Sequence, residues 1–296
     1  MGGTVRSKRQ EVPAMAEKAC SSTSCSKESC EGCPSAKKQN GFAVEQNQYS
    51  DVKNVIGVVS GKGGVGKSMV TASLANLLAE AGYRVGILDA DITGPSIPRM
   101  YGLQGPAMAD DEGIYPMVTE NGIKVISINL LMPDPEAPVI WRGPILANMV
   151  KQFWSDVIWG ELDYLLVDMP PGTGDVPLTV FQSLPVNGIM IVTSPQELVK
   201  MIVKKAYNMA KTMNIPVLGI IENYSYLVCP DCGKKIEVFG KSRVDEAAGE
   251  LGLSIGGKMP IDPSLTELSD AGEFYKAKNP YLATAIAALR VLDSRK

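Results

Sequence analysis

The stretch Gly61-Lys62-Gly63-Gly64-Val65-Gly66-Lys67-Ser68 constrains this 296-residue chain more than any other. It follows an apolar, β-branched run, Val55-Ile56-Gly57-Val58-Val59, and opens a segment rich in Ala and Leu from Met69 to Leu78. Strand, glycine loop, helix is the setting that a phosphate-binding loop requires. The glycines let the backbone curl until several N–H groups point at one spot. The N-terminus of the following helix adds partial positive charge there. Gly61 to Met69 then form a phosphate cradle in which Lys67 reaches the outer phosphates and the Ser68 hydroxyl can hold Mg²⁺. A second lysine, Lys62, stands near the start of the loop, where an ordinary P-loop needs none.

From Asn54 onward short β-type runs alternate with helical stretches. The expected strands are Asn54–Val59, Arg84–Leu88, Ile123–Ile128, Tyr164–Val167, Gly188–Val192 and Val217–Ile221, with a last one near Ser254–Met259. Helical stretches are expected at Ser68–Ala81, Ile145–Trp159, Glu197–Met213 and Lys241–Leu251. Such alternation predicts an α/β fold: a mostly parallel twisted sheet with helices on both faces and ligands at the carboxyl ends of the strands. The domain is expected over residues 51–296, preceded by a flexible tail over 1–50, where Ser, Lys, Glu and Gln dominate and too little apolar surface exists to fold alone. Met15 is an alternative start within that tail.

Composition narrows the function classes. A net charge of −3 leaves no electrostatic footprint for nucleic acid. No apolar run approaches the ~18 residues of a membrane span, and the N-terminus lacks the apolar core of a secretory signal. The expectation is a cytoplasmic protein without nucleic-acid or membrane partners. Its six cysteines are then not expected as structural disulfides. The absence of histidine excludes histidine bases and histidine metal ligands, so any metal must be held by thiolates or carboxylates.

Acidic residues close two of the expected strands. Asp89-Ala90-Asp91 follows Arg84–Leu88, and Asp168 ends Tyr164–Val167, ahead of Pro170-Pro171-Gly172-Thr173-Gly174-Asp175. An Asp at the tip of a buried strand beside the P-loop can bind Mg²⁺ directly or through water, which assigns Asp168. Asp91 is the candidate that orients a water in line with the terminal phosphate. The plain alternative is that Asp89 and Asp91 cap a turn. The Gly172–Asp175 segment could sense the terminal phosphate as a switch loop does.

Cys229-Pro230-Asp231-Cys232 sits in an insertion at about residues 226–240. A Cys-x-x-Cys turn offers one metal two thiolates, too few for a closed site. The missing pair can come across a dimer axis, each subunit giving two thiolates to one [4Fe–4S] cluster. It can come from another cysteine pair in a zinc site, or the turn can be a redox pair. The tail carries Cys20, Cys25, Cys30 and Cys33, which could hold a cluster of their own, hold zinc, capture a cluster transiently or bind no metal.

Four separated motifs, Gly61–Ser68, Asp89-Ala90-Asp91-Ile92-Thr93-Gly94-Pro95-Ser96, Val167–Asp175 and Glu222-Asn223-Tyr224-Ser225-Tyr226 with Cys229 and Cys232, resemble the Mrp family of iron–sulfur cluster carrier ATPases, also called ApbC. The likeness runs from about Asn54 to the C-terminus. Lys62 is similar to the signature lysine of the MinD, ParA and nitrogenase iron protein group, which reaches the nucleotide of the other subunit. The resemblance implies ATP and Mg²⁺ at Lys62, Lys67 and Ser68, water activation by Asp91, and an adenine edge formed by Asn223 and the Pro260-Ile261-Asp262-Pro263 loop. An amide suits adenine because it both donates and accepts. It further implies a homodimer, a slow ATPase, whose Cys229 and Cys232 bridge a [4Fe–4S] cluster destined for apo iron–sulfur proteins. Cys30-Glu31-Gly32-Cys33-Pro34 resembles part of the tail motif of the family's eukaryotic scaffold branch, but here both further cysteines precede the pair. The competing expectation is a MinD- or ParA-like positioning ATPase with a structural zinc knuckle, and a third is a nitrogenase-type reductase. Against a membrane role, Leu282, Ile286 and Leu289 share a helix face without bulky aromatics or a basic flank, which suits a core contact.

Overall fold

Strand β1 (Asp51–Ser60) runs through the middle of the sheet and shows why its sequence is continuously apolar. Successive side chains point to opposite faces, so Val55 and Val59 enter one core layer and Ile56 and Val58 the other. Both faces are covered, so neither can be polar. The computed structural model describes residues 44–91, 94, 96–132, 143–195 and 199–293, and gives only the backbone of 143–147, 175 and 176. The tail cysteines Cys20, Cys25, Cys30 and Cys33 therefore lie outside the described residues.

After β1 come α1 (Lys67–Glu80), β2 (Val85–Asp89), α2 (Ile97–Met100), β3 (Met117–Val118), β4 (Lys124–Ser127) and α3 (Gly143–Ser155). Then follow β5 (Glu161–Asp168), α4 (Asp175–Ser183), β6 (Val186–Thr193), α5 (Val199–Thr212) and β7 (Val217–Glu222). The chain closes with a hairpin of β8 (Leu227–Val228) and β9 (Lys235–Ile236), then α6 (Val244–Leu251), β10 (Ile255–Lys258), α7 (Pro263–Asp270) and α8 (Ala283–Arg290). The main sheet has eight strands in the order β10-β7-β6-β1-β5-β2-β4-β3. All its pairings are parallel except β3 with β4. Helices α3 to α6 cover one face, and α1, α2, α7 and α8 the other. The expected fold class is borne out.

Register brings the acidic strand ends level. Asp168 lies beside Val58 of β1 and beside Asp89 of β2, and Asp89 lies beside Ser127 of β4. Close approach explains Gly57 in the central strand: a Cβ there would stand 3.1 Å from the Phe181 ring of α4.

Several boundaries differ from expectation for identifiable reasons. Helix α3 ends at Ser155 and does not reach Trp159. The Trp159 side chain is fully buried, its indole N–H donating to the Phe153 carbonyl at 3.1 Å, so the chain must leave the helix to insert it. Helix α6 starts at Val244, later than Lys241, because the Ser242 hydroxyl accepts the Val244 N–H at 3.1 Å and caps the turn there. Val44 to Ser50 run along the domain: Trp154 donates its indole N–H to the Val44 carbonyl at 2.9 Å, and Ser50 is buried. Leu282, Ile286 and Leu289 are buried in the core. Among the described residues no helix is long and apolar enough to cross a membrane.

Candidate functional site

The phosphate loop takes shape because two glycines adopt a conformation that side chains disfavour. Gly64 and Gly66 both have φ of 76°, and Gly66 sits immediately before the first residue of α1. A Cβ on Gly66 would fall 2.2 Å from Asn223 Nδ2 and 3.0 Å from the Tyr224 hydroxyl. Gly61 is also tightly held, since a Cβ there would meet Ile202 of α5 at 2.2 Å. Val65 is buried, Gly63 and Gly64 are exposed, and Lys62 is half-buried. The second glycine loop lies over the first: Gly172 N–H donates to the Ser60 carbonyl at 2.8 Å.

Asp168 is the hub. It is fully buried at the end of β5 and collects three groups from the first turns of α1. Lys67 Nζ lies 2.8 Å from Oδ1, the Thr71 hydroxyl donates to Oδ1 at 2.7 Å, and the Ser68 hydroxyl donates to Oδ2 at 2.6 Å. Asp91 Oδ2 is 3.5 Å from the same Lys67 ammonium. Burial opposes the charge on Lys67, but Asp168, Asp91 and Asp89 outweigh it and raise its pKa above the ordinary lysine value. Asp89 is fully buried, and burial together with Asp168 pushes its pKa well above the carboxylate range, against the pull of Lys67. Its Oδ1 accepts the Asp91 N–H at 3.1 Å, so Asp89 caps the turn while Asp91 faces Lys67. Ser68 and Asp168 thus offer adjacent hard oxygen donors of the kind Mg²⁺ prefers.

Two clefts meet at Met69. One, of about 270 Å³, is lined by Gly63 to Ser68, Asp91 and Pro171. The other, of about 350 Å³, is lined by Asn223, Tyr224 and the Pro260–Pro263 loop. Asn223, Pro260 and Asp262 are therefore brought together beside the P-loop, yet two of the three side chains already have structural work. Asn223 donates to the Val65 carbonyl at 3.0 Å and accepts the Tyr224 N–H at 2.9 Å. Asp262 caps α7, accepting from Ser264 N at 3.0 Å and Ser264 Oγ at 2.7 Å. These two bonds leave one amide hydrogen of the buried Asn223 side chain over.

Cys229 and Cys232 stand in the turn between β8 and β9, the first half-buried and the second exposed, both as free thiols. Cys229 N–H donates to the Lys234 carbonyl and Gly233 N–H to the Cys229 carbonyl, each at 2.9 Å. Backbone N–H groups of Cys232 and Asp231 point at the Cys229 sulfur and lower its pKa, favouring the thiolate. Among the described residues no group of three or more Cys, Asp or Glu is arranged to hold a metal, so the turn offers two ligands only.

Sequence reasoning missed Thr71, Tyr224 and Glu222. Thr71 had a signal, since it lies three residues after Ser68 and four after Lys67, on the same face of α1. Glu222 and Tyr224 stand within the fourth motif, but nothing in the sequence marks what they reach: Ser242, 20 residues on, for Glu222, and Gly66 for the Tyr224 hydroxyl.

Comparison with known proteins agrees with this geometry. Residues 51–293 match the model of a family described as NUBPL iron-transfer P-loop NTPase. An iron–sulfur cluster carrier protein of Methanocaldococcus jannaschii is 51% identical over 245 residues, covering 81% of this chain and 84% of the relative. One of Clostridium perfringens is 50% identical over 263 residues, covering 84% and 92%. Among solved structures, a nucleotide-binding protein of Archaeoglobus fulgidus in complex with ADP superposes with a TM-score of 0.71 at 45% identity, covering 78% of this chain and 91% of that one. The MinD cell division protein of Aquifex aeolicus shares the fold at 21% identity, with a TM-score of 0.54 over 82% and 98% of the two chains. The resemblance drawn from the four motifs is thereby borne out, and the chain belongs to the family of iron-transfer P-loop NTPases.

Proposed function

We propose that this protein is a homodimeric ATPase that carries a [4Fe–4S] cluster as cargo and passes it to apo iron–sulfur proteins. The observation that carries the reading is the pairing, within one chain, of a buried Lys67–Asp168–Ser68 centre with a pair of free thiols that offers two ligands only. In this reading the backbone of Gly63 to Ser68 and Lys67 bind the phosphates, and the cleft at Asn223, Pro260 and Asp262 takes the adenine. Ser68 and Asp168 would hold Mg²⁺, which when bound neutralises charge on the phosphate oxygens. Asp91, set by Lys67, orients the attacking water, and Lys62 reaches the nucleotide of the other subunit. Cys229 and Cys232 of each subunit bridge the cluster, so the dimer that completes the nucleotide site also completes the cluster site. The segment ahead of the domain acts as a cysteine-bearing tail whose Cys20, Cys25, Cys30 and Cys33 take a second cluster. Thiols kept free for a cluster require a reducing compartment, which the cytoplasm provides.

The test is anaerobic reconstitution with iron and sulfide on the full chain and on the Cys229→Ala/Cys232→Ala variant, read by absorption, EPR, iron counting and gel filtration. The expected outcome is a dimer that loses about one [4Fe–4S] cluster per dimer in the variant, with any remaining cluster belonging to the tail. A monomer that binds only zinc at these thiols would sink the carrier reading and favour a positioning ATPase with a metal knuckle.

A further inference from the structure

The contact to the P-loop and the segment that carries the thiol turn both spring from the carboxyl end of β7, and one buried side chain there anchors the second. Glu222 ends β7 and is fully buried. Its Oε2 accepts the Ser225 hydroxyl at 2.6 Å, and its Oε1 accepts the Ser242 hydroxyl. Ser225 and Ser242 bracket the insertion: the chain leaves the domain just after Ser225, makes the β8–β9 hairpin with Cys229 and Cys232, and returns at Ser242. One carboxylate therefore clamps both feet of the thiol-bearing insertion. The return foot is fixed further, because the Ser242 hydroxyl also accepts the first N–H of α6.

The residue after Glu222 is Asn223, which holds the Val65 carbonyl of the P-loop at 3.0 Å. Tyr224 follows in the left-handed region at φ 57°, its hydroxyl against Gly66. Cys229 is only six positions beyond Asn223. A displacement of Val65 or Gly66 thus acts on Asn223 and Tyr224, and the feet of the hairpin are tied to the same strand end. Buried, satisfied polar groups hold one arrangement firmly, which suits a joint that must transmit a shift.

We propose that Glu222, with Ser225 and Ser242, is a positioning unit that couples the nucleotide state of the P-loop to the exposure of the Cys229 and Cys232 thiols. Glu222 touches neither nucleotide nor cargo and acts through the two feet. The proposal rests on the nucleotide-binding part of the function proposed above and gives it a route.

The experiment measures N-ethylmaleimide alkylation of Cys229 and Cys232 in the reduced full chain, resolved peptide by peptide by mass spectrometry. Rates are taken with and without a saturating non-hydrolysable ATP analogue and Mg²⁺, alongside the dissociation constant of the analogue. In the wild type the analogue is expected to change the alkylation rate about five-fold or more, the lower range of coupling between sites. In Ser225→Ala/Ser242→Ala the analogue still binds within about two-fold of wild type, but the rate change collapses. Ser242→Ala alone, the gentler variant, loses most of it. Glu222→Gln retains it, because an amide can accept from one hydroxyl and donate to the other. The proposal is overturned if the serine variants keep the wild-type rate change, or if the wild type binds the analogue with no change at either thiol. A wild type that fails to bind the analogue at all would instead overturn the nucleotide reading, and this coupling with it.

Discussion

The phosphate cleft and the thiol hairpin both follow the carboxyl end of a parallel strand, yet they are built in opposite ways. At the cleft, Lys67, Ser68 and Thr71 converge on Asp168, and Lys67, Thr71 and Asp168 are buried, so each group is fixed by the others. At the hairpin, two-residue strands pair with each other outside the main sheet, and Val228, Ile236, Val238 and Phe239 are 40–50% exposed. A two-stranded ribbon of that size has little stability of its own. The cleft is a preorganised electrostatic centre, as phosphoryl chemistry demands. The hairpin has the features of a unit that opens locally: a two-residue ladder of its own and apolar side chains left exposed. Its exposed apolar residues lie in the same short insertion as the two free thiols.

The largest expected effect tests the cleft. Lys67→Ala removes the cation that Asp168, Asp91 and Asp89 share. Truncating one member of a buried, hydrogen-bonded charge pair costs about 2–5 kcal/mol. ATP affinity measured by calorimetric titration should fall about a hundred-fold, while alkylation of Cys232 in the absence of nucleotide stays near wild type. A large change at Cys232 without nucleotide would break the division between the two regions.

Thr71→Val should have a smaller effect and sharpens the same division. Valine keeps the shape of threonine, so no cavity opens, but Asp168 Oδ1 loses the donor at 2.7 Å. Leaving a buried acceptor one partner short costs about 1–2 kcal/mol. Urea unfolding of the domain should register that loss. A variant as stable as wild type would mean that Lys67 and Ser68 alone satisfy Asp168, and that the centre is less interlocked than its geometry indicates.

What the sequence made legible follows the range of the interactions. Gly61–Ser68, Asp168 and the Cys229/Cys232 turn are local patterns whose chemistry dictates their spacing, and the structure gathers the first two into one centre. The strands of the parallel sheet were legible because both faces are buried and their apolar runs are unbroken. Helix α4 was hidden because Pro177 lies near its start; a proline reads as a loop, although the first turn has no use for that N–H. Helix α7 opens Asp262-Pro263, an N-cap followed by proline, a start signal masked by the loop-like Pro260-Ile261-Asp262-Pro263 pattern. The hold of Asn223 on Val65 and the reach of Glu222 to Ser242 were not legible, because those partners lie 158 and 20 residues away. Edge strand β3, two residues long and antiparallel, is set by the turn at Gly122 and by pairing with β4, not by its own propensity.

The smallest expected effect probes the hairpin itself. Lys235 Nζ stands 4.4 Å from the centre of the Tyr226 ring, joining β9 to the foot of the insertion. Such a contact at an exposed site contributes about 0.5–1 kcal/mol. Lys235→Gln removes the charge and keeps most of the stem that covers the ring. If the hairpin opens locally, that loss falls on its own opening equilibrium and not on global unfolding. Hydrogen exchange at the Cys229 and Gly233 amides, which close the thiol turn, should then speed up about two- to five-fold, the factor that such an energy sets. Exchange in β1 and β5 should stay unchanged, as should the urea midpoint of the domain. If instead the midpoint fell and exchange rose together in both places, the hairpin would unfold only with the sheet. The thiol turn would then be as rigidly held as the phosphate loop, and under the carrier function proposed above release of a cluster would have to come from separating two subunits, without any loosening of the turn.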